Sequence, residues 1–184
     1  MPKRRDQIYD ELLVLKCQAG DRQAFEELVE RWQGRIWRYA RALAGSEPAA
    51  WDIVQETWVA VIKGLGRLRE PGLFAGWVFR IAANKSKDWL RRRQVHNRAN
   101  GQITRESGSQ ADRIHANDEQ TQALEAALGR ITPDRRALLL LRYVEGFEIA
   151  EIGEILEIPA GTVKSRLSRT IAELRRLMGA NSNG

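Results

Sequence analysis

The stretch GFEIAEIGEILEIPAGTVKSRLSR, running from Gly146 to Arg169, decides how this chain is read. It forms two short helical patterns with a break between them, and the charge changes sign at the break. From Asn117 to Glu157 there are four Lys/Arg against nine Asp/Glu; from Ile158 to Gly184 there are five against one. A helix carrying Lys164, Arg166, Arg169, Arg175 and Arg176 behind an acidic partner helix has the electrostatic layout of a helix-turn-helix that approaches a polyanion.

The apolar pattern supports that reading. Ile149, Ile152, Gly153 and Leu156 fall at helical spacing, with Glu148, Glu151 and Glu154 on the opposite side. Ile158 plugs the gap between the helices, and Pro159 suits the first turn of the second, where its missing N–H has no partner to lose. Val163, Leu167, Ile171 and Leu174 give that helix one buried stripe. Gly153 lacks a side chain where two steeply crossing helices need close approach. Glu157 stands in the turn where Gly or Asn would better tolerate a left-handed backbone. Apolar spacing alone also fits any pair of bundle helices, and most basic helix faces are merely solvated. The charge reversal, the Ile-Pro turn and the Gly-Thr-Val-Lys-Ser-Arg run together favour DNA.

The whole chain has 184 residues, a net charge of +6 and a pI near 9.9, which points to an acidic partner. The charge is concentrated. Arg80 to Arg98 holds seven Lys/Arg and one Asp, a surplus equal to that of the entire protein. Cys17 is the single cysteine, so no intramolecular disulfide is possible. No apolar run is long enough to span a bilayer and the start lacks a signal-peptide core, so a cytoplasmic location is expected.

Working back from the helix-turn-helix, an all-α fold of two parts is expected. Asp21 caps a long helix with Phe25, Leu28, Val29, Trp32, Ile36 and Tyr39 inward, ending at Gly45. A second helix starts at Ser46–Pro48 and runs to about Lys63, burying Ala50, Val54, Trp58, Val61 and Ile62. Gly64 to Gly72 is a loop by its glycines and proline. A third helix spans about Phe74 to Arg93, with Trp77, Val78, Ile81, Ala82 and Trp89 inward. From His96 to Ala116 the period vanishes and polar residues dominate, which reads as a flexible tether. Thr132-Pro133-Asp134 then starts a helix whose Leu138–Leu141 run, within Ala137 to Val144, is apolar almost all round. The expected organisation is a helical bundle at 8–95, a linker at 96–116, a helix-turn-helix domain at 117–179 and a tail at 180–184. The six tryptophans all lie in the first half, most as core; Trp77, between the loop and the basic helix, could stack on an unpaired base.

These residues resemble a known family. DIVQETW at Asp52–Trp58, FAGWVFRIAAN at Phe74–Asn84, DWLRRR at Asp88–Arg93 and GTVKSRLSR at Gly161–Arg169 are similar to RNA polymerase sigma factors of the small, two-domain extracytoplasmic-function group. The resemblance implies that the first half melts the promoter and the second reads its −35 element. It implies that Asp52, Gln55 and Glu56 grip the clamp helices of the polymerase largest subunit, as a carboxylate–amide–carboxylate stripe can pair with arginines. Relatives often carry more acid before this stripe; here the run is Ala49-Ala50-Trp51-Asp52.

For the −10 element, the resemblance implies that Arg67, Phe74, Trp77 and Asn84 serve a pocket for a base flipped from the duplex, Asn offering both donor and acceptor. Arg80, Lys85, Lys87, Arg91, Arg92 and Arg93 would hold the phosphates. For the −35 element, the resemblance implies that Lys164, Ser165, Ser168 and Arg169 face the major groove, with Arg169 best placed to read guanine. Thr162 and Arg142 bind phosphate; Arg166 is a backbone contact or a solvent-facing charge. The Leu138–Val144 segment is expected to pack in the core, with a share of contact to the flap of the second-largest subunit. An anti-sigma partner is implied, and no cofactor.

Two other classes compete. An ordinary helix-turn-helix regulator shares Gly-Thr-Val-Lys-Ser-Arg but does not need Gln55-Glu56-Thr57-Trp58 or the Asn84–Arg93 helix. An enzyme on nucleic acid could use Asp52 and Glu56 for a metal, but no second carboxylate cluster or histidine pair completes a site. His96 and His115 lie at or in the tether, and the chain has no P-loop, nucleophile elbow or zinc spacing. Catalysis is not expected.

Overall fold

The computed structural model describes residues 5–99 and 119–181, and every regular element among them is helical. The first half contains α1 (Arg5–Gln18), α2 (Arg22–Ala44), α3 (Glu47–Gly64) and α4 (Phe74–Ala99). The second contains α5 (Glu119–Arg130), α6 (Pro133–Leu139), α7 (Ile149–Leu156) and α8 (Ala160–Asn181).

Local signals set the ends. Asp21 caps α2 by accepting from the Ala24 N–H, and Gly45 closes it at φ 74°. In α2, Leu28, Trp32, Ile36, Tyr39, Ala40 and Leu43 are buried. Trp32 is the hub of the first half, with Phe74 edge-on at 5.2 Å and Phe79 at 6.3 Å. Ala40, Ala44, Ala49 and Ala50 form a separate small-residue contact between α2 and α3.

Some expectations are corrected. The basic helix does not stop at Arg93: α4 continues to Ala99, so residues 96–99 are helix rather than tether. Residues 100–116 of that tether lie outside the described residues, as do 182–184 of the tail, whereas α8 itself extends to Asn181. Ile62 is 62% exposed, because the buried face of α3 follows Ile53, Val54, Thr57, Trp58 and Val61, and Ile62 is turned a further 100° round. Trp51 is also exposed, while Trp89 is half-buried. The helix expected through Val144 changes form: beyond Leu139 it widens into one π turn, Leu140–Val144, closed by the Glu145 N–H donating to the Leu140 carbonyl.

The two halves pack together. Helix α6 lies on α2 and helix α7 on α4, so that Leu138, Leu141, Phe147, Ile152 and Ile155 share one core with Tyr39, Phe79 and Ala83. The Leu138–Leu141 run is thereby buried on two sides, Leu141 completely.

Candidate nucleic-acid interface

Helix α4 presents Arg80, Asn84, Lys87 and Arg91 at intervals of four, three and four residues, which places them on one face. Lys85, Arg92 and Arg93 lie to one side. These cations are not bare. Glu56 holds two of them, with Arg92 Nη2 at 2.6 Å from one carboxylate oxygen and Lys85 Nζ at 3.8 Å from the other. Arg91 pairs with Asp88, and Arg93 donates to the Ala44 carbonyl while covering the Trp89 ring.

The loop before α4 consists of two short 3-10 turns, Leu65–Arg67 and Pro71–Leu73. Gln18 of α1 fixes it by donating to the Leu65 and Leu68 carbonyls at 2.9 and 2.8 Å. Arg67 is exposed on the first turn. Phe74 is fully buried against Trp32, so in this conformation it props the loop from beneath instead of offering its ring to a base. Trp77 is half-buried and lies over Gly64, so close that a Cβ there would sit 2.9 Å from Cζ2 of its ring. That fit is what requires glycine at 64.

On α3, Asp52 and Gln55 are exposed and Glu56 is half-buried by its ties to α4. Trp51, Val59 and Ile62 are exposed on the same face, giving the stripe an apolar flank. This flank is absent from the sequence expectations although the i, i+4, i+8, i+11 spacing of Trp51, Gln55, Val59 and Ile62 carries the signal, because period alone does not separate a partner face from a core face. The structure also accounts for Ala49-Ala50. Both are buried against α2, where an acid would be desolvated, so the acidic surface begins only at Asp52.

The helix-turn-helix has the expected geometry. Glu148 and Glu151 form a capping box at the start of α7. Glu157 adopts φ 59°, ψ 44°, and is the one non-glycine residue with positive φ among those described. A Cβ on Gly153 would meet the Ile158 carbonyl oxygen at 2.9 Å, which explains glycine at the crossing. Pro159 ends up one position before α8 and accepts from the Thr162 and Val163 N–H groups. Lys164, Ser165, Arg166, Ser168 and Arg169 are all exposed, Thr162 is half-buried, and Val163 and Leu167 face the core. Thr170, buried in that stripe, donates to the Arg166 carbonyl. Arg142 lies in the π turn and bridges the Phe147 carbonyl at 2.8 Å and Glu148 at 3.0 Å, tying the turn to α7.

The two basic regions, separate in the sequence, are brought together. Arg166 and Arg169 of α8 share a crevice of about 730 Å³ with Lys87, Arg91 and Gln94 of α4. A second cavity, about 560 Å³, opens between the Leu68–Trp77 loop and Glu145, Glu151 and Glu154 of the second half. Among the described residues no cluster of three His, Cys, Asp or Glu side chains could hold a metal, and no helix is long and apolar enough to cross a membrane.

Among the described residues every regular element is helical, with a basic helix in one half and a helix-turn-helix in the other, and each half matches a sigma-70 region. Residues 28–95 match Sigma-70 region 2 and residues 121–174 match Sigma-70 region 4. The chain is 32% identical over 180 residues to the ECF RNA polymerase sigma factor SigM of Mycobacterium tuberculosis, covering 98% of this chain and 90% of that one. It is 33% identical over 178 residues to SigE of Mycolicibacterium smegmatis, with 89% of this chain covered but only 66% of that protein's length. The ECF sigma-E factor of Haemophilus influenzae is 32% identical over 176 residues, covering 89% of this chain and 92% of that protein. Among solved structures, CnrH in complex with the cytosolic domain of CnrY aligns with a TM-score of 0.65 at 25% identity, covering 94% and 98% of the two chains. The sigma factor RpoE in complex with the anti-sigma factor NepR from Bartonella quintana gives 0.72 at 22% identity, over 84% and 96%. The chain belongs to the ECF RNA polymerase sigma factors.

Proposed function

We propose that this protein is an alternative sigma factor that binds core RNA polymerase and directs it to its own set of promoters. The observation that carries this reading is the combination, on one chain, of the Asp52–Gln55–Glu56 face, the basic face of α4 beside the Leu68–Trp77 loop, and the exposed Lys164–Arg169 surface of α8. An ordinary helix-turn-helix regulator needs only the last.

In this reading residues 8–95, with α4 running on to Ala99, form the polymerase-binding and −10 unit, and residues 117–179 form the −35 unit. Asp52, Gln55 and Glu56, flanked by Trp51, Val59 and Ile62, meet the clamp helices of the largest subunit through charge and buried apolar area together. Arg80, Lys85, Lys87, Arg91, Arg92 and Arg93 position the −10 strand through its phosphates, and Asn84 reads a base edge. Arg67 lies at the loop rim; Phe74 and Trp77 shape the pocket wall. Lys164, Ser165, Ser168 and Arg169 read the −35 major groove, while Thr162 and Arg166 take phosphates. Arg142, whose Nη1 serves Glu148 and the Phe147 carbonyl, meets phosphate through its remaining N–H groups. The second unit also meets the flap of the second-largest subunit. Transcription chemistry then belongs to the polymerase, the protein acts in the cytoplasm, and an anti-sigma partner regulates it. The printed descriptions of the RpoE and CnrH structures, each a complex with an inhibitor or a partner's cytosolic domain, support that last point.

The test is run-off transcription from a promoter library with core polymerase, with and without the protein. Promoter-specific transcripts that depend on the protein and are lost in Arg169→Ala or Asn84→Ala are expected. Duplex binding without association with core would favour the ordinary regulator.

A further inference from the structure

The loop proposed above to receive the −10 base is held by a side chain from another helix. Gln18 is the last residue of α1, and the way α1 ends decides where its side chain goes. Gly20 adopts φ 91°. The Asp21 N–H donates back to the Lys16 carbonyl and the Gly20 N–H to the Cys17 carbonyl, both at 3.0 Å. This pair of bonds around a left-handed glycine is a Schellman closure. Asp21 then caps α2 by accepting from the Ala24 N–H at 3.1 Å. Both sides of the turn are fixed, and with them the place from which Gln18 reaches the loop.

The Gln18 amide nitrogen donates to two carbonyls, Leu65 at 2.9 Å and Leu68 at 2.8 Å. Both partners are acceptors, so the nitrogen and not the oxygen of the amide faces the loop. The same Leu65 carbonyl accepts the Leu68 N–H at 3.1 Å, closing the first 3-10 turn. Gln18 thus holds the two feet of an arch whose crown is Gly66 and Arg67, both exposed.

The ends of the segment are fixed by packing. Trp77 lies over Gly64, and Phe74 is buried against Trp32. The crown has no such support. A Cβ on Gly66 would meet nothing within 4 Å, and glycine does little to hold a backbone in one shape. Leu68, at one foot, goes on to line the 560 Å³ cavity beside Gly72, Leu73, Gly76 and Trp77, so the arch also shapes that wall.

Two kinds of DNA contact respond differently to a loosened arch. Phosphate contacts from the cations of α4 depend on charge, vary slowly with distance and carry no base information. Base-edge hydrogen bonds weaken steeply as their angle departs from linearity. An arch that samples several shapes still meets DNA but discriminates poorly among bases; one held in a single shape discriminates.

We infer that Gln18 is a specificity-determining positioning residue: by holding the Leu65 and Leu68 carbonyls, it fixes the Gly66–Arg67 arch in the shape that selects among −10 bases. This rests on the −10 assignment made above. Gln18 acts through the loop and not on a base.

The test is run-off transcription with core polymerase and the whole chain. The templates carry a promoter recovered from the library described above, with each −10 position randomised in turn, and transcripts are counted by sequencing. The readout is the ratio of best to worst base at each position, with the −35 ratios read in parallel. Loss of folded protein scales every template equally, so these ratios separate positioning from stability. Gln18→Met has nearly the same length and no donor, whereas Gln18→Lys restores donors for both carbonyls. Leu43→Ala, in the core at the far end of α2, lowers stability without touching the loop.

Wild type should prefer its best base by about tenfold or more at one −10 position, the discrimination that a good base contact supplies. Gln18→Met should flatten that ratio to about threefold or less with the −35 ratios unchanged, and Gln18→Lys should keep most of it. Leu43→Ala should give fewer transcripts at wild-type ratios. A wild-type ratio in Gln18→Met overturns the proposal, because the tether then serves stability alone. Flattening shared by Gln18→Lys overturns it by clearing the donor, and flattening shared by Leu43→Ala overturns it by making the ratio follow stability. Failure of the sigma reading looks different: wild type then recovers no promoter at all, and this inference falls with it.

Discussion

Glu157 is the residue on which the turn, the interface and the charge pattern converge. Its carboxyl titrates below the ordinary value near 4.5, with Arg80 as the main cause. A depressed folded-state value means that the stabilising contact is fully present above the unfolded value and is lost as pH falls through the folded one. The contact between α4 and α7 should therefore be indifferent to pH from neutrality to about pH 5 and weaken below about pH 4.5. Amide hydrogen exchange across Ile149–Leu156, followed against pH, checks this; in Glu157→Gln the acid-dependent step attributable to this contact should disappear.

At the scale of elements, the helix-turn-helix depends on one close approach. Gly153→Ala would put a methyl 2.9 Å from the Ile158 carbonyl, against backbone that cannot swing away. Overpacking of this kind costs about 1–3 kcal/mol, to be read from the midpoint of urea unfolding. The loop before α4 depends on a single side chain from another helix. Gln18→Ala removes two hydrogen bonds, together about 1–3 kcal/mol, and should speed hydrogen exchange in residues 64–73 several-fold while leaving α7 and α8 unchanged.

The first of these elements was legible in the sequence and the second was not, for a physical reason. The turn at Glu157-Ile158-Pro159 and the small residue at Gly153 are local, and local spacing carries them. The Gln18 tether, 47 and 50 residues from its acceptors, has no periodic signature. The π turn escapes for a related reason, since one additional residue in a leucine-rich helix leaves the apolar spacing nearly intact. Ile62, expected in the core, is exposed because a helix with both a core face and an exposed apolar face shows a stripe too wide to divide by period alone. The roles proposed for Arg80, Asn84 and Lys87 rest on family motifs, whereas the contacts of Arg80 and Lys87 with the end of α7 depend on the packing of two distant segments.

At the scale of the whole molecule, the basic side of α4 and the exposed side of α8 share one crevice, so the proposed −10 and −35 roles require the two halves to separate. The Arg136 guanidinium of α6, packed towards α2, has its pKa lowered first by burial and then by the charge of Arg41. Neutralising it should favour closure: Arg136→Gln is expected to lower single-strand affinity about two- to fivefold, measured by anisotropy against wild type, an effect of the size typical for exposed or partly exposed charge pairs.

The ion pairs along α4 also affect how the protein distributes itself in a cell full of DNA. A lysine or arginine already neutralised by Glu56, Asp88 or Glu157 does not displace a full counterion from a phosphate; it exchanges one anion for another. Each unpaired cation that neutralises a single-strand phosphate contributes about 0.7 to the salt slope of binding. The slope for the free protein should fall well short of the roughly four units that six such cations would give. A chain with a net charge of +6 would then spend little time on the bulk of the chromosome, leaving it available to polymerase.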